Sequence, residues 1–136
     1  MNLQRLCRGC AFTIYAIGNR LGDCELLEWL DSLEENLMTD VEGVMDVIDR
    51  MAHDGLPRNT HICHQISGPI WQRTKGRLRL LFFCDGEMHR LILTHGFVKK
   101  TRKTPSSEVE HALAFYRAYE KAKSDNTLVF GGINEQ

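Results

Sequence analysis

Apolar positions along the chain change period partway through, separating a helical first half from a strand-rich second half. Residues 12–17, FTIYAI, are a β-branched and aromatic run that predicts a first strand. Residues 18–22, GNRLG, read as a turn, and Asp23 reads as a helix N-cap. Leu26, Leu27, Trp29, Leu30 and Leu33 then recur at helical spacing among acidic residues, the pattern of one buried stripe. Asp40 reads as the cap of a second helix with Val41, Val44, Met45, Val47, Ile48 and Met51 as its apolar set. Gly55 and Pro57 stop it.

From Ile62 onward the pattern is that of strands. Residues 62–66 and 70–74 are separated by the breaker Ser67-Gly68-Pro69, and Lys75-Gly76 is a tight turn. Residues 77–84, RLRLLFFC, form the next strand, with Arg77 and Arg79 on one face by the period of two. Asp85-Gly86 is the strongest hairpin signal in the chain, and residues 89–97 are the partner strand. After the cationic run KKTRK, residues 104–107 open a last helix, with Ser107 and Glu110 spaced as a capping box. Its stripe is Val109, Ala112, Leu113, Tyr116 and Tyr119. Residues 1–11 and 124–136 read as loose extensions. This order predicts an α+β fold: a single domain over 1–136, with a small, mostly antiparallel sheet, two N-terminal helices and a C-terminal helix.

Composition narrows the class. Hydrophobic residues are 43% and charged residues 26%, ordinary for a soluble globular protein, and no run reaches the length of a membrane span. The first residues lack the pattern of a secretory signal. Five irregularly spaced cysteines predict reduced thiols in a cytoplasmic setting. Cys7 and Cys10 form a CxxC pair, and His61, Cys63 and His64 follow later without regular ligand spacing. They read as free thiols and surface histidines, so no metal and no cofactor is expected.

The net charge of -1 conceals an asymmetry. Residues 1–56 hold 4 Lys/Arg against 11 Asp/Glu, and residues 57–136 hold 13 against 7. From Arg58 to Lys103 there are 10 cations against Asp85 and Glu87 alone. Such segregation is either a solvated basic face or a surface for a phosphate-rich partner.

A family resemblance sharpens that choice. The stretch LTHGFVKKTRKTPSSEVEHAL resembles the signature of HigB-like toxins of the RelE/ParE superfamily of bacterial and phage toxin–antitoxin modules. CELLEWLDSL resembles the family's first-helix opening, and IWQRTKGRLRLLFFCDG resembles its tryptophan and arginine hairpin. The resemblance spans roughly residues 12–122. It implies a RelE-like fold, with two helices on one face of an antiparallel sheet and the C-terminal helix near the active surface. It also implies the toxin of a type II module: a metal-independent, ribosome-associated endoribonuclease that cleaves messenger RNA. The ribose 2′-hydroxyl would be the nucleophile, and the implied partners are mRNA, the ribosome and a cognate antitoxin, a small helix-turn-helix protein. The ParE branch instead acts by binding DNA gyrase, and a degenerate member would be an inactive antitoxin-binding module. Both readings stay open.

The residues suit RNA cleavage. The reaction deprotonates a 2′-hydroxyl, stabilises a dianionic phosphorane and protonates a leaving oxygen. Arg73 and Arg79 match arginines of the family hairpin and are the candidate charge stabilisers, with Arg77 next. His95 is the candidate general acid or base, or a structural histidine at the strand end. Lys99, Lys100 and Lys103 match the family's lysine cluster and would hold RNA, or else are solvated or dock an acidic antitoxin segment. His64 is a weaker acid/base candidate, and Trp71 is either core or a base-stacking platform.

Overall fold

The computed structural model of the chain describes residues 1–132. Its strands are β1 (Asn2–Arg8), β2 (Thr13–Gly18), β3 (Cys63–Ser67), β4 (Ile70–Lys75), β5 (Leu78–Asp85), β6 (Arg90–Val98) and β7 (Val129–Gly132). Its α-helices are α1 (Glu25–Ser32), α2 (Met38–Asp54) and α3 (Ser106–Ser124). None is long and apolar enough to cross a membrane.

The class is α+β, but the sheet differs from the small, mostly antiparallel one expected. It has seven strands in the order β3-β4-β5-β6-β2-β1-β7, and it is mixed. β3 to β6 form an antiparallel meander, while β2 runs parallel to β6 and β7 parallel to β1. The two extra strands are the chain ends that read as loose extensions. β1 pairs with β2 and presents an edge of unpaired backbone groups, which β7 satisfies, the Val129 amide bonding the Met1 carbonyl at 2.8 Å. The Phe130 ring lies against Tyr15 at 5.3 Å, with the Arg90 guanidinium 4.6 Å over it. Residues 133–136 of the expected extension lie outside the described residues.

Alternation along the strands builds two cores. On one face, Ile14, Ala16, Leu78, Leu80, Phe82, Leu91 and Leu93 pack with Leu26 and Leu30 of α1 and with Val44, Val47, Ile48 and Met51 of α2. On the other, Leu3, Ile17, Ile70, Leu81, Phe83 and Ile92 pack with Ala112 and Tyr119 of α3. Met45, placed in the α2 stripe by spacing, is exposed.

Three expected caps are absent. Cys24, not Asp23, precedes α1, and it makes no side-chain cap bond. Asp40 lies inside the first turn of α2, where its carboxylate instead accepts the Arg77 amide at 3.0 Å and ties α2 to the β4–β5 turn. That turn requires Gly76, whose φ is +58° and where a Cβ would collide with the Asp40 carboxylate. Pro105 caps α3 without a Ser107–Glu110 box, since the fixed φ of proline suits a helix start.

Toward its C-terminal end α3 is pinned by a polar cluster. The fully buried Tyr119 donates its hydroxyl to Asp85 Oδ2 at 2.5 Å and accepts from Arg90 at 3.2 Å. Lys123 Nζ lies 2.9 Å from the same carboxylate oxygen. Burial pushes the Asp85 pKa up, but hydrogen bonds from Tyr119, Lys123 and the Met88 amide outweigh it, and the net shift is downward. Burial, reinforced by Asp85, pushes the Tyr119 phenol up to about 12.

Tyr119→Phe leaves the buried carboxylate short of a donor and is expected to lower stability by about 1–3 kcal/mol at pH 7. Because the folded-state pKa of Asp85 is depressed, its contribution is complete above about 3.9, the ordinary aspartate value, and is lost as pH falls below it. Urea unfolding of both proteins at pH 7 and pH 3 checks this. Equal midpoints at pH 7, or a gap that widens in acid, would contradict it.

Candidate functional site

One irregularity in the sheet sets the geometry of the cationic end. Phe82 pairs with Leu93 but Leu81 pairs with His95, so Thr94 is an extra residue on β6. Its hydroxyl bonds the Leu81 carbonyl at 3.2 Å. Beyond this bulge the side chains change face, and His95 points toward α3 rather than α1 and α2. Gly96 then faces Trp29 of α1, where a Cβ would collide with the indole.

His95 is only 4% exposed. Its Nδ1 is 3.2 Å from Thr94 Oγ1 and its Nε2 is 3.1 Å from Glu108 Oε1 in the first turn of α3. The ring stands edge-on to His111, 4.4 Å between centroids, and His111 Nε2 lies 3.1 Å from Glu25 of α1. Burial drives the His95 pKa down, opposed by the bond to Glu108; His111 adds to the fall, and the net shift is downward. Through these contacts the His95 side chain joins β6 to α3.

Cross-strand register aligns His64, Gln72, Leu81 and His95 in one row across β3, β4, β5 and β6. The loop from Lys99 to Pro105 is tied to this row, because Thr104 Oγ1 donates to Gln72 Oε1 at 2.6 Å. At its other end the Lys99 amide bonds the Arg77 carbonyl at 2.8 Å. A cleft opens on each side of the loop. The larger, about 910 Å³, is lined by His64, Gln72, Arg102, Lys103, Ser106 and Glu110, among others. The smaller, about 530 Å³, is lined by Trp29, Phe97, Lys100, Pro105 and Glu108, among others.

His64 is half-buried in the larger cleft, and its buried Nδ1 has no hydrogen-bond partner among the described residues. Lys103 shares that cleft, Lys100 lies in the smaller one, and Lys99 is exposed at the start of the loop. The N-terminus of α3 opens at Ser106, so its amide groups and dipole add positive potential there.

The arginines do not converge. Arg73 neighbours Gln72 on β4 and therefore faces the other side of the sheet, opposite Cys63 and Leu80. It is 9% exposed, bonds the Thr74 carbonyl, and leaves its Nε without a partner among the described residues. Arg79 faces the α3 side and folds back onto the Gly76 and Leu78 carbonyls at 2.8 and 3.0 Å. Burial lowers the pKa of both guanidinium groups. One phosphate cannot be clamped by both. Arg77 lies in the turn before β5 and bonds the Asn36 carbonyl at 3.0 Å, so the strand period that put it on one face with Arg79 does not reach it. Trp71, partly buried, packs against the α2-side core and stacks on Phe82 at 6.3 Å.

Residues not singled out from the sequence complete the site. Arg102 sits inside the cationic run and was legible there by charge alone. Ser106 lay in the predicted start of the last helix, whereas Gln72 and Glu108 carried no local signal, because their roles come from contacts distant in the chain. Among the described residues, the side chains gathered closely enough to share a metal ion are Cys7, Asp49 and His53; Cys10, His61, Cys63 and His64 are not among them.

A family model described as "Phage derived protein Gp49-like (DUF891)" matches residues 28–117. The match runs from α1 through the arginine strands and the cationic loop into α3. Among solved structures, the chain is similar to one in the archaeal RelE–RelB complex from Pyrococcus horikoshii OT3. Identity is 12%, over 68% of this chain and 99% of that one, with a TM-score of 0.49. A second similarity is to the toxin–antitoxin complex RelBE2 from Mycobacterium tuberculosis, at 13% identity over 65% and 99% of the chains, with a TM-score of 0.41. A search of curated proteins finds no match.

Since the folded-state pKa of His95 is depressed, the unfolded chain takes up the proton first as pH falls through about 6.5. Stability contributed by the neutral imidazole is complete above that value and declines below it. His95→Gln is expected to flatten the fall in stability between pH 7 and pH 5. Chemical denaturation across that range reads it, and an unchanged slope in the variant would assign the titration to another group.

Proposed function

The chain belongs to the phage-derived Gp49-like family, and from that premise we propose that it is a HigB-like toxin of a type II toxin–antitoxin module that cleaves messenger RNA. The observation that carries this reading is the larger cleft, where an imidazole, two cations and the N-terminus of a long helix face the same space. That is the equipment for binding a phosphodiester and moving a proton beside it. The HigB-like motifs, among them the THGF and KKTRK segments, give independent support from the sequence.

In this reading the RNA backbone enters the cleft with a phosphate near the start of α3. His64 accepts the 2′-hydroxyl proton as the oxygen attacks the adjacent phosphorus. The bond to the 5′-oxygen breaks, that oxygen takes a proton from solvent, and a cyclic phosphate remains. Arg102 and Lys103 offset the charge that builds on the phosphorane, and the α3 amides contribute partial positive charge. Lys99 and Lys100 extend the cationic track toward the rest of the RNA or toward ribosomal RNA. Arg79 lies on the same side as a second-line cation. Arg73 enters as a buried charge under the sheet rather than a phosphate ligand. His95 acts on the site by holding Glu108, and through it the start of α3. No step uses a metal. The partner is a cognate antitoxin of the helix-turn-helix kind, and the setting is the cytoplasm.

Expression without an antitoxin is expected to arrest growth and fragment transcripts. His64→Ala should slow cleavage by about 10²–10⁴-fold, the range for a lost general acid or base. The Arg102→Ala, Lys103→Ala double variant should bind RNA more weakly and with a shallower salt dependence. Arrest with intact transcripts and damaged DNA would favour the gyrase-binding reading. Normal growth with folded protein would favour an inactive antitoxin-binding module.

A further inference from the structure

The cysteine nearest the start of the chain is drawn into a cluster that the proposed RNA site does not use. Cys7, on β1, donates its thiol to Asp49 Oδ1 on α2 at 3.5 Å. One helical turn further along α2, His53 Nε2 lies 3.5 Å from the same carboxylate oxygen. The ligand atoms of all three lie within 4.8 Å of one another. Around a tetrahedral Zn²⁺ with its usual bond lengths, sulfur, nitrogen and oxygen ligands stand roughly 3.3–3.6 Å apart. Two edges of this triangle already have that length, before any ion draws the third inward.

The frame behind the three groups is held in place. Asp49 and His53 share one face of a helix of 17 residues. The β1–β2 loop is bonded to the end of that helix, with the Ala11 and Phe12 amides donating to the Ala52 carbonyl at 2.9 and 3.0 Å. Gly9 permits the approach, since a Cβ there would collide with the same carbonyl. Cys7 thus comes from a strand, its two partners from a helix, and the loop between them is clamped.

We propose that Cys7, Asp49 and His53 form a three-ligand site for a thiophilic divalent transition metal, Zn²⁺ above others, with the fourth position open to water. Thiolate, imidazole and carboxylate together suit Zn²⁺ or Co²⁺ and suit Mg²⁺ or Ca²⁺ poorly. On binding, the metal replaces the thiol proton that now points to Asp49, and that proton passes to solvent. Cys10, the other half of the CxxC pair, is not a ligand; it lies outside the group. The site staples β1 to α2. It is remote from the proposed RNA cleft, because Cys7 pairs with Ile14 and Ile14 with Leu91, near the start of β6, while the cationic loop follows the far end of that strand.

Co²⁺ titration of the untagged full chain tests this, alongside thermal unfolding with and without Zn²⁺. One equivalent of Co²⁺ should give a thiolate-to-cobalt charge-transfer band and the visible bands of tetrahedral Co²⁺, and Zn²⁺ should raise the melting temperature. Cys7→Ser should abolish the charge-transfer band. His53→Gln and Asp49→Asn should each weaken binding on the order of 100-fold or more, at or beyond the loss from an outer-shell partner. Cys10→Ser should change neither readout. Asp49 and His53 are exposed, so these variants should keep the native circular dichroism. A folded wild-type protein with no charge-transfer band and no Zn²⁺ shift would overturn the site and leave an ordinary ion pair beside a thiol. Binding that survives Cys7→Ser and His53→Gln would also overturn it, and loss of binding in Cys10→Ser would overturn the open fourth position.

Discussion

Helix α3 is fixed across its face of the sheet by two polar contacts, a part-buried one between Glu108 and His95 near its start and a buried one between Tyr119 and Asp85 toward its end. Its apolar stripe cannot do this alone. The helix has 19 residues, yet only Ala112, Tyr119 and Ala122 are buried, and two of these are alanines. Its larger apolar side chains Leu113, Phe115 and Tyr116 are only partly buried against the same core, and hydrogen-bonded polar pairs add specificity to that packing. Much follows from that placement. The start of α3 forms one wall of the larger cleft. The chain leaving its C-terminus is set up to return, the Thr127 amide bonding the Ala122 carbonyl at 2.8 Å, so that β7 can close the edge of β1.

The acidic and basic halves of the sequence become different surfaces. α1 and α2 cover one face and carry exposed Glu28, Asp31, Glu42, Asp46 and Asp49. The cationic loop and the start of α3 lie at one end of the sheet, on the side away from α2. A polyanion is attracted to the second region and repelled from the first, so the charge segregation sets a direction of approach. This also separates the arginines. Arg73 points toward the acidic helix side and Arg79 toward the α3 side, although both belong to one basic stretch of sequence.

Legibility followed the range of the interactions involved. The stripes of α1 and α2 apart from Met45, the strands β4 and β5 and the turn at Gly76 are local patterns, and they are where the residues put them, although Arg77 falls in the turn rather than on the strand face. β1 and β7 were missed because each is a strand only by virtue of the other and of β2; Asn2–Arg8 alternates too weakly to announce an edge strand. The parallel pairing of β2 with β6 joins segments far apart in the chain and leaves no local trace. The same holds for the site. The run KKTRK was visible as charge, whereas the tie from Thr104 to Gln72 and the partner of His95 depend on register between distant segments.

The bulge at Thr94 shows how much turns on one residue of register. Without it, strict alternation from Leu91 and Leu93 would carry His95 to the α1 and α2 face, and Gly96 to the α3 face. Glu108 would then lose its partner, and Trp29 would meet a side chain larger than hydrogen at the next position. With the bulge, the imidazole reaches α3 and the missing side chain of Gly96 accommodates the indole. The segment Thr94-His95-Gly96 is therefore a device for changing face, and each residue has a distinct part in it. Threonine bonds the buried Leu81 carbonyl beside the irregular pairing, histidine crosses to the helix, and glycine clears room on the face it left. A change at Thr94 or Gly96 reaches the cleft through α3, although neither residue lines the larger cleft.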